Sequence, residues 1–458
     1  MNNVRKALDV AESNGDQYVA DLCEMLQQPS IAAQNEGMQE CAELLANHFK
    51  KIGCDYVEIV STDGFPVVCA EVQGESEKSV LVYGHYDVQP PEPLDEWPHP
   101  PWSAHIEDGR IYARGAVDDK GNFYCSIKAV ESYLRAGLKP PVTVKFMIEG
   151  EEEIGSPNLG PFAEKHLEWL KSDGMLAHDG GETSDGRTEL NLGMKGMLYL
   201  ELSVRTNPRD LHSGKALCVE NAAWRLITAL ASLKTDDDRV AIKGFYDGIE
   251  PPTQEEIQCV YDNDIPLEVL QDEVGGAQLK KGFSGPELFR RLYFEPSLNV
   301  CGIESGYTGP GQKTVLPATA TAKIDIRPVS GQEPQDLLVK VKNHLLINGF
   351  DDIKVKSLSG DGNKAAKTSL NSAVAQSLLK AITEEWNGRR PVIKPSVESS
   401  GPGTVFSHIL KTPWALTRFG PKEAIIHAPG EYTEIACYQR GIRTVIKFLQ
   451  YFSEYEEQ

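Results

Sequence analysis

Two hydrophobic patterns alternate along the first part of the chain, up to residue 196. Short apolar and β-branched runs at 79–83, 142–148 and 174–177 predict buried strands. Between the first two runs, residues 120–134 place apolar side chains on one helical stripe, namely Phe123, Ile127, Val130 and Leu134. Strands that alternate with helices in this way predict an α/β sheet with helices on both faces.

A different pattern begins after residue 196. Residues 318–327 alternate strictly between apolar and polar side chains, which predicts an antiparallel strand with one face in water. The same region predicts strands at 197–206 and 352–358, helices at 220–233 and 335–346, and a less regular stretch rich in Gly and Pro at 243–311. These elements predict an α+β unit whose helices pack on one side of an antiparallel sheet.

The segment at 359–363, Ser-Gly-Asp-Gly-Asn, has the composition of a linker. Beyond it the first pattern returns, with predicted helices at 372–386 and 433–452 and a predicted strand at 414–418. We therefore predict an α/β domain formed by residues 1–196 and 359–458, interrupted by an inserted α+β domain of residues 197–358.

Composition narrows the class of protein. The chain has 458 residues and 40% hydrophobic residues, enough to build a large core without a metal or disulfides. Its net charge of −21 disfavours nucleic acids and anionic membranes as partners. No apolar run approaches the ~18 residues of a membrane helix, and the first residues lack a signal-peptide core. Nine scattered cysteines without a CxxC pair indicate reduced thiols and a cytoplasmic location.

Acidic residues and histidines follow the ends of the predicted strands. His85 and Asp87 follow the first strand, three glutamates at 151–153 follow the second, and Asp179 follows the third. Asp118 and Asp119 directly precede the helix at 120–134. Because ligands bind at the carboxyl ends of strands in such sheets, these side chains are expected to converge on one crevice.

Each of these features also has an ordinary structural explanation. An Asp-Asp pair before a helix is usually a cap, a run of glutamates is usually solvated, and a single histidine is usually not a ligand. Taken together, however, carboxylates crowded at one sheet edge would repel one another, and a divalent cation resolves that repulsion. Mixed histidine and carboxylate ligands suit zinc, cobalt or manganese. Asp87 is placed to hold the second ring nitrogen of His85.

Several longer motifs resemble the M20 metallopeptidase family, and most closely its dipeptidase branch, which includes the carnosinases and the cytosolic non-specific dipeptidase. The motifs are GHYDVQP at 84–90, RGAVDDKG at 114–121, EGEEEIGS at 149–156, LHSG at 211–214, GFYDG at 244–248, GPGQKTVLP at 309–317 and IHAPGE at 426–431. The resemblance implies a zinc-peptidase catalytic domain with a mixed sheet, and an inserted ferredoxin-like domain that serves as lid and dimer interface.

The resemblance also implies a site with two zinc ions, for which Mn²⁺ or Co²⁺ are alternatives. His85, Asp118 and Asp179 are expected to hold one ion, with His178 and Glu182 as rivals of Asp179. The second ion is expected to bind Asp118, Glu153 and His427, with Asp118 shared. Glu152 is implied as the general base that activates water, and Asp87 as the residue that orients His85.

Two residues of the inserted domain receive roles from the same resemblance. His212 is implied to reach the active site of a partner subunit and to stabilise the oxyanion, and Arg327 to bind the substrate's C-terminal carboxylate. Both roles imply a homodimer and a closing movement of the domains. In the absence of the resemblance, His212 would be an ordinary loop histidine and Arg327 would belong to the wet face of a strand.

The expected activity is hydrolysis of dipeptides or short peptides with a free C-terminal carboxylate. An N-acyl amino-acid amidohydrolase of the same family is the alternative, and a catalytically silent binding protein is a third hypothesis. Two segments depart from the dipeptidase pattern, at 215–218 and at 398–403, where the branch has Gly-Gly and Gly-Gly-Ser elements. These departures concern the substrate and leave the metal-ligand positions in place.

Overall fold

The computed structural model describes residues 2–280 and 285–456 of the chain. Residues 281–284, which belong to the stretch predicted as irregular, lie outside this description, as do residues 1, 457 and 458. The helices are α1 (Asn2–Ser13), α2 (Gly15–Gln27), α3 (Met38–Ile52), α4 (Lys120–Arg135), α5 (Leu159–Lys165), α6 (Leu167–Leu170), α7 (Ala222–Ser232), α8 (Gln254–Asp262), α9 (Leu267–Glu273), α10 (Gly285–Phe294), α11 (Pro334–Ile347), α12 (Ala373–Glu385) and α13 (Ile435–Glu454).

Over residues 2–280 and 285–456, the strands belong to one large sheet and four smaller ones. They are β1 (Tyr56–Val60), β2 (Val67–Val72), β3 (Ser79–His85), β4 (His105–Glu107), β5 (Arg110–Tyr112), β6 (Thr143–Glu149), β7 (Gly174–His178), β8 (Glu189–Asn191), β9 (Gly193–Met194), β10 (Leu198–Arg205), β11 (Leu211–His212), β12 (Ser297–Ser305), β13 (Val315–Leu316), β14 (Thr319–Arg327), β15 (Lys354–Ser357), β16 (Ala366–Lys367), β17 (Val392–Lys394), β18 (Trp414–Thr417) and β19 (Tyr432–Glu434).

The large sheet has the strand order β1-β2-β6-β3-β7-β18-β8-β17 and is mixed. Strands β6, β3, β7 and β18 are mutually parallel, so their carboxyl ends meet at one edge. Alternate residues of β3 enter two different cores: Val80 and Val82 pack on one face, and Leu81 and Tyr83 on the other. This confirms the predicted mixed sheet flanked by helices.

The two cores contain different helices. On one face, α1, α4, α12 and α13 contribute buried apolar side chains. On the other, α5 and α6 pack together with the apolar residues around Phe406 and Trp414. Helix α4 lies between the sheet and the other helices, which explains why even Lys128 and Glu131 in its middle are buried.

The inserted region forms a four-stranded antiparallel sheet in the order β12-β14-β10-β15. With helices α7 and α11 between its strands, its chain order β10-α7-β12-β14-α11-β15 is that of a ferredoxin-like fold. The predicted alternation of β14 is observed, because Ala320, Ala322, Ile324 and Ile326 enter this unit's own core. The domain boundaries at 196 and 359 stay a prediction.

Some elements differ from the sequence expectations. Residues 159–170, for which no element is predicted above, form two short helices, α5 and α6, which meet at His166. Within the stretch predicted as irregular, the described residues form α8, α9, α10 and the whole of β12. Strand β12 escaped prediction because it is a sheet edge whose side chains are mostly exposed, so its apolar residues show no alternation.

Two further observations bear on the class of protein. The nine cysteines are all free, and five of them are buried. Among the described residues, no helix combines the length and the apolar character that a membrane crossing requires.

Candidate metal centre

The predicted site residues meet at the shared carboxyl edge of the large sheet. His85 is the last residue of β3, and Asp179 directly follows β7. Glu152 and Glu153 lie in a short 3-10 turn, Glu152–Ile154, shortly after β6. Because β3, β6 and β7 are parallel neighbours, the fold brings these three segments together, as the sequence predicts.

Asp118 occupies the centre of the cluster. Its Oδ1 lies 3.2 Å from Nε2 of His85, and its Oδ2 lies 2.9 Å from Nε2 of His427. The two histidines therefore face opposite oxygens of one carboxylate. His427 comes from a loop near the C-terminus, more than 300 residues from Asp118 in sequence, and adopts a left-handed backbone conformation with φ 61°.

Two groups of potential ligands share Asp118. In the first, ligand atoms of His85, Asp118 and Asp179 all lie within 4.8 Å of one another. In the second, the same holds for Asp118, Glu153 and His427, where Oε2 of Glu153 lies 3.3 Å from Nε2 of His427. These are the two sets expected from the sequence, although their role as ligands stays a proposal.

The rivals of Asp179 have other partners. His178 is fully buried, its Nε2 lies 2.7 Å from the Ser126 hydroxyl, and burial lowers its pKa to about 3. Glu182 forms an ion pair with Arg440. Neither side chain belongs to the two groups around Asp118, so the geometry favours Asp179.

Asp87 holds more of the site together than the sequence indicates. Its carboxylate lies 3.4 Å from Nδ1 of His85, and its backbone carbonyl lies 3.1 Å from the same nitrogen. The carboxylate also accepts hydrogen bonds from the backbone N–H groups of Glu152, at 3.2 Å, and Glu153, at 3.0 Å. The fully buried Asp87 therefore fixes the position of His85 and of the glutamate turn at once.

The charge balance of the cluster fits a pair of divalent cations. Burial and the charge of Asp118 raise the pKa of Asp179 to about 7. Hydrogen bonds to Asp118 and Glu153 raise the pKa of His427 to about 10. Among the described residues, Oε1 of Glu153 is buried without a hydrogen-bond partner. Carboxylates with raised pKa values and an unpaired buried oxygen are what bound cations would compensate.

Glu152 lines a cavity beside the cluster. His85, Asp179, Asn191 and Arg418 line the same cavity, together with the segment from Ser399 to Pro402. Burial raises the pKa of Glu152 to about 8; the charges of Asp179 and Asp118 act in the same direction and that of His85 opposes them. The Glu152 carboxyl group therefore borders the cavity next to the two ligand groups.

The two predicted site residues of the inserted unit, Arg327 and His212, have different surroundings. The guanidinium of Arg327 lies 3.0 Å from the Asp325 carboxylate through Nε, and its Nη1 donates to the Ser400 hydroxyl at 2.9 Å. Because Ser400 lines the cavity, Arg327 reaches the edge of the site from the inserted unit. His212 is exposed, and its Nδ1 accepts a hydrogen bond from the backbone N–H of Gly214. It belongs to neither ligand group of its own chain.

Glu431 is a site residue that sequence reasoning missed. It is fully buried and forms an ion pair with Nη1 of Arg114 at 2.7 Å. Its carboxylate also accepts hydrogen bonds from the backbone N–H groups of Gly115, Val117 and Asp118, at 3.1, 2.9 and 3.2 Å. Glu431 therefore ties the loop that ends in Asp118 to the loop that carries His427. Its sequence signal was only its place in the motif at 426–431.

We expect the substitution Glu431→Gln to weaken metal binding by about 10–100-fold, the usual cost of losing a residue that orients ligands. The amide keeps the shape, but one of its two ends cannot accept the N–H donors that the carboxylate accepts. Metal content after dialysis against a chelator series measures the effect. Glu434→Gln is the matched control, since Glu434 pairs with Arg110 at the surface. Equal metal affinity in both variants would contradict the assignment.

Comparison with known proteins agrees with this geometry. The chain matches the model of peptidase family M20/M25/M40 over residues 81–451. It therefore belongs to this family and is a metallopeptidase. The family resemblance seen in the sequence is confirmed, and the hypothesis of a silent binding protein is not supported.

Three relatives illustrate the similarity. The Cys-Gly metallodipeptidase DUG1 of Candida albicans is 26% identical over 475 residues, which cover 97% of this chain and 96% of that protein. The Beta-Ala-His dipeptidase of Rattus norvegicus is 33% identical over 307 residues, 64% of this chain and 62% of that protein. The crystal structure of the M20 family metallo-carboxypeptidase Sso-CP2 from Sulfolobus solfataricus is 34% identical, covers 96% of this chain and 99% of that chain, and superimposes with a TM-score of 0.87.

Proposed function

We propose that this chain is a dipeptidase that hydrolyses the amide bond of dipeptides or short peptides with a free C-terminal carboxylate. The observation that carries this proposal is the pair of ligand groups that share Asp118, with Glu152 in the adjoining cavity. The names of two relatives, a Cys-Gly metallodipeptidase and a Beta-Ala-His dipeptidase, support a dipeptide substrate.

Two divalent ions, best matched by Zn²⁺, are assigned to the two groups. His85, Asp118 and Asp179 would hold one ion, and Asp118, Glu153 and His427 the other. Histidine and carboxylate ligands without a thiol suit Zn²⁺, and Mn²⁺ or Co²⁺ are the alternatives. When bound, such ions lower the pKa of water and polarise the scissile carbonyl.

The residues of the chain supply the proton transfers. Glu152 accepts the proton of the attacking water and returns it to the leaving amine, which is the work of a general base and acid. Asp87 fixes the backbone of Glu152 through the hydrogen bond at 3.2 Å, so the carboxylate stays beside the ligand groups. Burial raises the pKa of Glu152, which favours the protonated form that the second step requires.

Arg327 is assigned to the C-terminal carboxylate of the substrate. A guanidinium presents a planar pair of donors that matches a carboxylate. Its bond to Ser400 places this cation at the rim of the cavity, while Asp325 holds its Nε. The distance between this cation and the cluster around Asp118 thus limits how long a substrate can be.

The cavity wall favours a free amino group over an acyl group on the other side of the scissile bond. Asn191 is 3% exposed and lines the cavity, and its Oδ1 has no hydrogen-bond partner among the described residues. An unpaired buried carbonyl oxygen costs free energy until a donor reaches it. The ammonium group of a dipeptide is such a donor, whereas an N-acetyl group ends in a methyl.

A panel of three compounds tests the function: a dipeptide, the same dipeptide as its C-terminal amide, and the N-acetyl derivative of the second amino acid. We expect kcat/KM for the dipeptide to exceed both others by about 10–100-fold, since each analogue loses one charged hydrogen-bonded group. Faster cleavage of the N-acetyl compound would replace the proposal with a deacylase. Equal rates for the amide and the acid would remove the role of Arg327.

A homodimer through the inserted unit is part of the proposal. Helix α7 buries Leu226 and Ala229 but leaves Trp224 67% and Ile227 43% exposed. Strand β12 is an outer strand of its sheet, so one of its backbone edges has no partner strand among the described residues, and its Ile303 side chain is exposed. A second copy of this chain would cover both features, because an edge strand pairs readily with its own copy.

The nine free cysteines support a cytoplasmic location.

A further inference from the structure

A second group of metal-type side chains lies on the surface, outside the site described above. His105 and Glu107 are the first and last residues of β4, so their side chains are on the same face of that strand. His99, from the preceding loop, stacks its ring on that of His105, with 3.9 Å between the ring centroids. Nε2 of His99 lies 3.3 Å from Oε2 of Glu107.

The donor atoms of these three side chains are close enough together to bind one common metal ion. One ligand atom from each of His99, His105 and Glu107 lies within 4.8 Å of the other two. Around a tetrahedral zinc ion with bonds of about 2.0–2.1 Å, neighbouring donors are about 3.3 Å apart. Small side-chain rotations would bring the three ligand atoms to this separation. Such rotations meet little resistance because His105 and Glu107 are exposed.

Among the described residues, no lysine or arginine side chain competes with a metal ion for the Glu107 carboxylate. Among the ion pairs of the described residues, Glu107 is joined to His99 and to no lysine or arginine. The chain also carries a net charge of −21, which raises the concentration of divalent cations near its surface. Two imidazoles and one carboxylate form a donor set that transition-metal ions prefer over Ca²⁺ or Mg²⁺.

We propose that His99, His105 and Glu107 bind a further divalent transition-metal ion, with Zn²⁺ as the representative, in addition to any ions held around Asp118. Water completes the coordination, as in other sites with two histidines and one glutamate. The ion is taken from the free pool in solution, and the site is weaker than one built from buried ligands because ordering two exposed side chains costs entropy.

The site is positioned to stiffen the metal centre from outside. Strand β4 pairs with β5, and β5 pairs with β19, which directly follows Glu431. Pro98, the neighbour of His99, lies close to Gly430, where an added Cβ would be 3.6 Å from its Cδ. An ion that joins His99 to β4 therefore fixes the loop that packs against the turn between His427 and Glu431.

Equilibrium dialysis of the zinc-loaded enzyme against 0.1–100 µM free Zn²⁺ tests the proposal. We expect the wild type to bind one more zinc ion per chain than His105→Ala, with half-saturation at micromolar zinc. Glu107→Gln is expected to shift this half-saturation about 10–100-fold upward. His166→Ala is the control, because the His166 ring stacks on Phe162 and belongs to no ligand group within the part of the chain that the structure describes.

The comparison uses the difference between two proteins, so it does not depend on how many ions bind around Asp118. Equal zinc content of the wild type and His105→Ala across the range would overturn the proposal, as would a difference that emerges only at millimolar zinc. If His105→Ala fails to fold, Glu107→Gln decides alone, since it changes an exposed carboxylate to its isosteric amide.

Discussion

Glu152→Gln lowers kcat for dipeptide hydrolysis by about 10²–10⁴-fold and leaves the bound metal in place. The amide has the size of the carboxylate, and the backbone N–H of Glu152 keeps its hydrogen bond to Asp87. In the proposed mechanism, the amide can neither accept a proton from water nor pass one to the leaving amine. Steady-state kinetics together with the metal content of the purified variant measure both parts of the expectation.

Glu151→Gln is the matched control for this experiment. Glu151 is the adjacent carboxylate, but it accepts hydrogen bonds from Asn158 and from the backbone N–H of Phe65, and it belongs to neither ligand group. Its variant is expected to keep kcat within a few-fold of the wild type. A kcat close to normal in Glu152→Gln would place the base elsewhere, and loss of metal from that variant would make Glu152 a ligand.

His212→Ala lowers kcat by roughly 10²–10³-fold, the usual loss for one donor to a developing oxyanion. His212 is exposed on the inserted unit and joins neither ligand group of its own chain, so a catalytic role requires the site of a partner subunit. In the proposed dimer, the partner subunit's His212 completes each site. Metal content is expected to stay unchanged, because the ligands of the large sheet are intact.

Mixing two inactive variants separates action between subunits from action within one. A heterodimer of His212→Ala with Glu152→Gln contains one site in which both groups are intact, so activity returns in part once subunits exchange. The control mixes each variant with itself under the same conditions. Verified heterodimers that stay as inactive as their parents would show that His212 acts within its own subunit or has no catalytic role.

The parts of the fold that the sequence predicts well are those whose burial follows a simple period. Strands β3, β6, β7 and β18 and helix α4 lie within two residues of their predicted bounds, because buried strands and helices need continuous or periodic apolar residues. The parts that it misses, β12 and α8 to α10, are exposed or short, so tertiary contacts outside each element decide their structure.

In the candidate site, too, some features can be predicted from the sequence and others cannot. His85, Asp118 and Asp179 lie at or next to strand and helix ends, Glu153 lies in the turn after β6, and His427 lies in a loop. All five are visible in the sequence because a known family carries them in ordered motifs. The roles of Asp87 and Glu431 as acceptors of backbone N–H groups are not visible. Such bonds join loops more than 60 residues apart, and any acidic residue in a loop has the same local sequence signature.

The place of β18 in the large sheet has a consequence for biosynthesis. Strand β18 lies between β7 and β8, yet it is translated about 240 residues after β7. Strand β7 is fully buried in the complete fold. Until the ribosome has released residue 417, however, one edge of β7 is open and can pair with strands of other chains. The inserted sheet, whose strands all lie between residues 198 and 357, can assemble in the meantime. The sheet that is begun first is therefore the last to close, and one edge of β7 stays open while the inserted sheet is translated.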